Sequence, residues 1–125
     1  MSRRILVVED DRETRDLLTG ILELADFEVD TAEDGQKALN IIARETPAAM
    51  VLDMRLPVMD GWGVAGWLHE HGLHVPTVVM TGENAERCCA DIGADACLQK
   101  PFDLETLLAE VVRIRTHDSW RRAHP

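Results

Sequence analysis

Two kinds of hydrophobic pattern alternate along this chain. Short, mainly apolar runs occur at Ile5–Val8, Met50–Leu52, Val75–Met80 and Ala96–Leu98, and the unbroken first one suits a strand covered on both faces. Phe27-Glu28-Val29-Asp30 instead alternates apolar and charged residues, as expected of an edge strand half exposed to water. Between the runs, apolar residues recur at helical spacing. Leu17, Leu18, Ile21, Leu22 and Leu24 mark a first helix, with Asp11 as cap and Glu13 in its first turn. Ala38, Leu39, Ile41 and Ile42 mark a second, after the Asp34-Gly35 turn and ending before Pro47. A third spans Gly61 to about His71 with Val64, Trp67 and Leu68 on one face, and a short fourth spans Glu83–Ile92 and stops at Gly93. Leu104, Leu107, Leu108, Val111, Val112 and Ile114 form the apolar face of a fifth, beginning after Pro101 with Asp103 as cap.

Strict alternation of five strands and five helices predicts an α/β fold: a doubly wound (βα)5 sandwich around a parallel sheet, joined by right-handed crossovers. Placing the half-polar second run at an edge and the first and third runs centrally gives the strand order 2-1-3-4-5. The switch point then lies between strands one and three, where such sheets place their ligands.

Polar residues follow the strand ends. Glu9-Asp10-Asp11 comes after the first run, Asp53 after the third, Thr81-Gly82 after the fourth and Lys100-Pro101 after the fifth. Three converging carboxylates (Glu9, Asp10, Asp53) repel one another, and burial makes this worse. A divalent cation relieves them, and oxygen ligands in an open site suit Mg²⁺. The plain alternative is an acidic patch salt-bridged by Lys100. With a cation present, Asp53 can act as a nucleophile on phosphorus, with the Lys100 ammonium and Thr81 hydroxyl on other phosphoryl oxygens.

Composition narrows this further. At 125 residues, 46% hydrophobic and 29% charged, the chain is about one globular domain. A net charge of −10 argues against direct nucleic-acid binding. Arg113, Arg115, Arg121 and Arg122 crowd one end and are expected to be solvated. No apolar segment approaches the roughly 18 residues of a membrane span, and the start lacks a signal-peptide core, so a cytoplasmic location with no membrane partner is expected. Cys88, Cys89 and Cys97 are odd in number and lack a CxxC spacing, so reduced thiols are expected. His69, His71 and His74 do not complete an HExxH motif, because Leu73 stands where the second His is needed. Trp62 and Trp67 are expected to be partly buried packing residues. No Gly-rich phosphate loop follows the first strand, which disfavours nucleotide binding.

The motifs Ile-Leu-Val-Val-Glu-Asp-Asp followed by Arg15, Leu-Asp-Met-Arg-Leu-Pro-Val-Met-Asp-Gly, Val-Met-Thr-Gly and Lys-Pro-Phe resemble those of response regulator receiver domains. The resemblance covers residue 4 to about 115 and implies a flavodoxin-like, CheY-like receiver fold over 1–116, with 117–125 a disordered tail. It implies Asp53 as phosphoacceptor of a two-component or phosphorelay system. Mg²⁺ would be held by Asp10, Asp53, the Arg55 backbone carbonyl and Glu9 through metal-bound water. Lys100 would bind phosphate and Thr81 would be the switch hydroxyl. Lys100-Pro101 is often a cis peptide in such domains. The implied partners are a sensor histidine kinase or histidine phosphotransferase and an unidentified downstream protein, with a phosphorylation-dependent dimer among the outcomes. The chain would signal through the face of helix four, strand five and helix five, and would not be an enzyme beyond catalysing its own phosphotransfer and dephosphorylation.

Two features depart from that pattern. Cys97 stands three residues before Lys100, where such domains usually carry an aromatic, so transmission must use backbone or helix-four shifts. Thr81 and Lys100 are also closer by about one turn, so helix four should be short. Arg55 and Glu83 are expected to pair across the mouth of the site. Three rivals remain: a piece of a longer protein, a receiver working without phosphate, and a Mg²⁺-dependent phosphatase. The last would want an acidic residue where Arg55 stands.

Overall fold

A computed structural model of the chain describes residues 3–123, and the surroundings of side chains from 3 to 115. The elements run β1 (Arg4–Val8), α1 (Arg12–Leu24), β2 (Glu28–Ala32), α2 (Gly35–Arg44), β3 (Ala49–Asp53), α3 (Gly61–Glu70), β4 (Thr77–Thr81), α4 (Ala85–Ile92), β5 (Ala96–Gln99) and α5 (Leu104–Ala123). All pairings are parallel, and the strand order is β2-β1-β3-β4-β5. The expected topology is therefore present, with β2 at one edge and β1 and β3 inside.

The alternation of side chains along a strand divides the core in two. Ile5 and Val7 face one layer, packing with Leu18 and Leu22 of α1 and Leu107, Val111 and Ile114 of α5. Leu6 and Val8 face the other, with Ala38, Leu39 and Ile42 of α2 and Val64 and Leu68 of α3. Sheet and helices thus bury a continuous apolar run on both faces, at about 25 cal/mol for each Å² of apolar surface removed from water.

Boundaries shift where a local constraint wins. β2 begins at Glu28 and reaches Ala32, because Phe27 turns into the core and is buried rather than pairing. β4 begins at Thr77, after Pro76, which has no N–H for the ladder. Helix α4 has eight residues, as short as expected, and starts after Asn84, whose side chain accepts the Arg87 N–H. Helix α5 carries helical backbone as far as Ala123, so the segment from His117 that was expected as a tail continues the helix to that point. Residues 124 and 125, and the side chains of Arg121 and Arg122, lie outside what is described. No helix among the described residues is long and apolar enough to cross a membrane.

Candidate functional site

Parity carries Glu9 inward. It follows Ile5 and Val7 on the same side of β1 and is 1% exposed, while Asp10 turns out into solvent. Asp11 leaves the strand and caps α1, accepting the Thr14 N–H at 3.0 Å. Arg15, one turn into that helix, reaches back to donate to the Glu9 carbonyl at 3.0 Å. That fixes the acid-bearing loop, a role that no spacing argument had assigned to Arg15. Asp53 ends β3 in the neighbouring strand and is 5% exposed. Gly61 lets the following loop fold back tightly, since a Cβ there would stand 2.8 Å from Met54 Cα.

Candidate ligand atoms of Glu9, Asp10 and Asp53 all lie within 4.8 Å of one another. Lys100, from the end of β5, donates to Asp53 Oδ2 at 3.0 Å and to Glu9 Oε1 at 3.3 Å. The Arg55 backbone N–H donates to Asp53 Oδ1 at 3.0 Å. With Gly82 and Glu83, these residues line an open cleft of about 510 Å³. The Lys100-Pro101 peptide is cis.

The electrostatics are unequal. Burial, then the hydrogen bond and charge of Asp53, push the Glu9 carboxyl up to about 8, against the pull of Lys100. Burial also works against an ionised Asp53. It is outweighed by hydrogen bonds from Glu9, the Arg55 N–H and Lys100, which hold Asp53 below the usual range. Burial opposes the charge on Lys100 too, but Asp53 and Glu9 keep its pKa above the ordinary value. Without a cation, then, the site favours the proton on Glu9 and the charge on Asp53. Glu9 Oε2 is buried and receives no hydrogen bond from a donor of the chain. Once Glu9 gives up the proton it shares with Asp53, this oxygen is a buried acceptor without a donor, and such an acceptor among all-oxygen ligands fits a divalent cation. Among the described residues this is the one group of three or more metal-ligating side chains; His69, His71 and His74 form none and are exposed.

Thr81 lies elsewhere. Its hydroxyl donates to the Glu83 carbonyl at 3.0 Å and accepts the Glu83 N–H at 3.2 Å, so it is turned into its own loop and does not line the acid cleft. Arg55 and Glu83 do pair across the mouth, through side chains that are both largely exposed. Trp62 stands beside them at the edge of the mouth, more exposed than expected, while Trp67 is partly buried and stacks on His71. One expectation fails: Cys89 and Cys97 are joined in a disulfide, leaving only Cys88 free. The turn at Gly93, in the left-handed region at φ 67°, swings the end of α4 against β5 and brings the two sulfurs together. Linear spacing does not disclose that contact.

Similar proteins carry this geometry into a family. The model of the response regulator receiver domain matches residues 5–112. The response regulator MprA of Mycobacterium tuberculosis is 44% identical over 114 residues, covering 89% of this chain and 50% of that protein. The MprA of Mycobacterium leprae is 42% identical over 111 residues, covering 86% and 49%. The chain thus spans about half the length of the curated relatives it matches. Among solved structures, the chemotaxis protein CheY4 of Vibrio cholerae superposes with a TM-score of 0.81 at 28% identity, covering 91% of this chain and 99% of that one. The receiver domain of a putative LuxO repressor from Vibrio parahaemolyticus reaches 0.91 at 23% identity, covering 98% and 97%, a likeness of fold. The chain belongs to the response regulator receiver domains of two-component signal transduction.

Proposed function

We propose that Asp53 accepts a phosphoryl group from a histidine kinase or histidine phosphotransferase, and that the chain works as a phosphorylation-controlled binding module. The observation that carries this is a buried Asp53 whose two oxygens are already oriented, one by Lys100 and one by the Arg55 N–H, at the floor of an open cleft. An ionised, oriented carboxylate is what attack on phosphorus requires. In the step, an Asp53 carboxylate oxygen forms a bond to phosphorus while the bond from phosphorus to the donor histidine breaks.

The residues divide the remaining work. Lys100 gives up part of its contact with Asp53 and neutralises a phosphoryl oxygen. Thr81 releases the Glu83 carbonyl to reach another, which draws the β4–α4 loop inward. That movement shifts α4, and with it the face of α4, β5 and α5 that a downstream protein contacts. Arg55 and Glu83 bar the approach of a hydrolytic water. Asp10, Asp53, the Arg55 carbonyl and Glu9 would hold Mg²⁺, which would supply charge neutralisation for the incoming phosphoryl group. Beyond its own phosphorylation and dephosphorylation, the domain converts no substrate.

The test is incubation with Mg²⁺ and acetyl phosphate, followed by intact mass. One added phosphoryl group in the wild type and none in Asp53→Asn is expected. Equal labelling of the two, or none in the wild type with Mg²⁺ present, would refute the proposal.

A further inference from the structure

The Cys89–Cys97 bond joins the two elements whose relative position the proposed signal changes. Cys89 lies in the second half of α4, and Cys97 lies in β5, in register with Val79 of β4 and three residues before Lys100. The two Cα atoms are 5.7 Å apart across a separation of eight residues. Apart from this link, α4 is lightly held: Ala85 alone among its residues is buried, with Cys88 and Ile92 packed at the margin of the core. A helix so weakly anchored gains much of its fixity from a covalent tie to the sheet. Both bonded cysteines are only partly buried, so a small thiol or disulfide can reach them.

From this arrangement we infer that Cys89 and Cys97 form a reversible thiol–disulfide exchange site whose co-reactant is a low-molecular-weight disulfide, and that the bond fastens α4 and silences the output face. In forming, one protein thiolate attacks a sulfur of the small disulfide and expels one small thiolate. The second protein thiolate attacks the resulting mixed disulfide and expels the other. Two protein thiols and one small disulfide become the Cys89–Cys97 bond and two small thiols. The protein loses two electrons to the small disulfide, and its two protons end on the released thiols. Reduction by a small dithiol runs the same exchange backwards and frees α4. The site occupies the position where an aromatic residue usually follows the switch hydroxyl in similar domains, so the tie would replace a rotating side chain with a bond that is made or broken. The silencing half of the inference rests on the proposed route from Asp53 through α4; the exchange site itself does not.

The test uses the whole chain equilibrated with oxidised glutathione or with dithiothreitol. Cys88 ends as a free thiol or as a glutathione adduct that mass distinguishes, so alkylation followed by mass should count at most one reactive thiol in the oxidised protein and three in the reduced one. Amide hydrogen exchange over Ala85–Ile92 should be about tenfold slower when oxidised, on a free-energy scale about half of what closing so short a loop can supply, with β1 and β3 unchanged. Cys88→Ser should keep the difference, and Cys97→Ser should abolish it at the fast rate. Three reactive thiols under both conditions, or exchange in α4 that ignores the redox state, would overturn the exchange site. Acetyl phosphate with Mg²⁺ should then alter exchange in α4 of the reduced protein and not of the oxidised one, although both take up a phosphoryl group. An equal response in both overturns the silencing. Failure to take up phosphate in either form counts against the role of Asp53 and against the silencing built on it, while the thiol count and phosphate-free exchange still decide the tie.

Discussion

Glu9→Gln isolates the cost of a buried acid at the heart of the site. Glu9 is nearly inaccessible, and its carboxyl is pushed from 4.5 up to about 8 by burial and by Asp53. An acid raised in this way favours the fold at pH below its unfolded value, and that advantage is lost as pH climbs from about 4.5 towards 8. Asp53 acts in the opposite sense and in another window: its depressed pKa stabilises the fold above about 3.8 and fails only in stronger acid. At roughly 1.4 kcal/mol per pH unit, the Glu9 displacement amounts to about 5 kcal/mol if nothing rearranges. Lys100 and water entering the open cleft share the load, so about 2 kcal/mol should be measurable, or about 8 °C in Tm for a domain of this size. The assay is thermal unfolding in chelator at pH 5, 6, 7, 8 and 9. Wild type should lose this stability across the series. Glu9→Gln, which keeps a hydrogen-bond donor towards Asp53 but carries no charge, should show a much flatter profile. Mg²⁺ should restore wild type most at the alkaline end and the variant little at any pH. Parallel pH profiles for the two proteins in chelator would refute the assignment of a raised Glu9.

Other perturbations separate the remaining parts. Lys100→Ala removes the one side chain that donates to both Asp53 and Glu9; with Lys100 about one-third exposed, a loss of about 1–3 kcal/mol in urea unfolding at pH 7 is expected without metal, and no loss would contradict the bridge. Arg55→Ala breaks the pair with Glu83 at the mouth. An exposed pair is worth up to about 1 kcal/mol, so phosphate should leave up to about fivefold faster, and an unchanged rate measured by mass would remove Arg55 and Glu83 as a barrier. Gly61→Ala forces a Cβ to 2.6 Å from Met54 Sδ and 3.0 Å from the Asp53 carbonyl. The cost should be about 1–3 kcal/mol in urea unfolding, and a variant as stable as wild type would show that the loop after β3 is not tightly packed.

The architecture was legible because each element obeys one period. Three of the apolar runs became the inner strands β1, β3 and β4, the alternating second run and the fifth became the two edges, and the carboxylates at the ends of β1 and β3 met at the predicted switch point. Lys100 could be placed for the same reason: it ends a strand whose position follows from the order. What stayed hidden depends on side-chain direction and on turns. The Thr81 hydroxyl has two partners within its own loop, and no pattern of residue types tells which way it points. Arg15 is helical by position, yet it serves the neighbouring loop by reaching back along its own axis. Phe27 looked like the first residue of an alternating strand, but its ring fits the core beneath α1 and α5. The pairing of Cys89 with Cys97 depends on a left-handed turn at Gly93 and on the shortness of α4. Spacing hinted at the second of these and not at the consequence.

The central claim is that phosphate goes to one particular carboxylate of three that crowd together. Reductive trapping tests it most directly. After acetyl phosphate and Mg²⁺, borohydride converts an aspartyl phosphate to homoserine, and trypsin separates the candidates, because Glu45–Arg55 carries Asp53 while Ile5–Arg12 carries Glu9 and Asp10. Homoserine at position 53 in the Glu45–Arg55 peptide is the predicted result. Homoserine in Ile5–Arg12, or an unmodified Asp53 in a protein that has gained a phosphoryl group, would contradict the account.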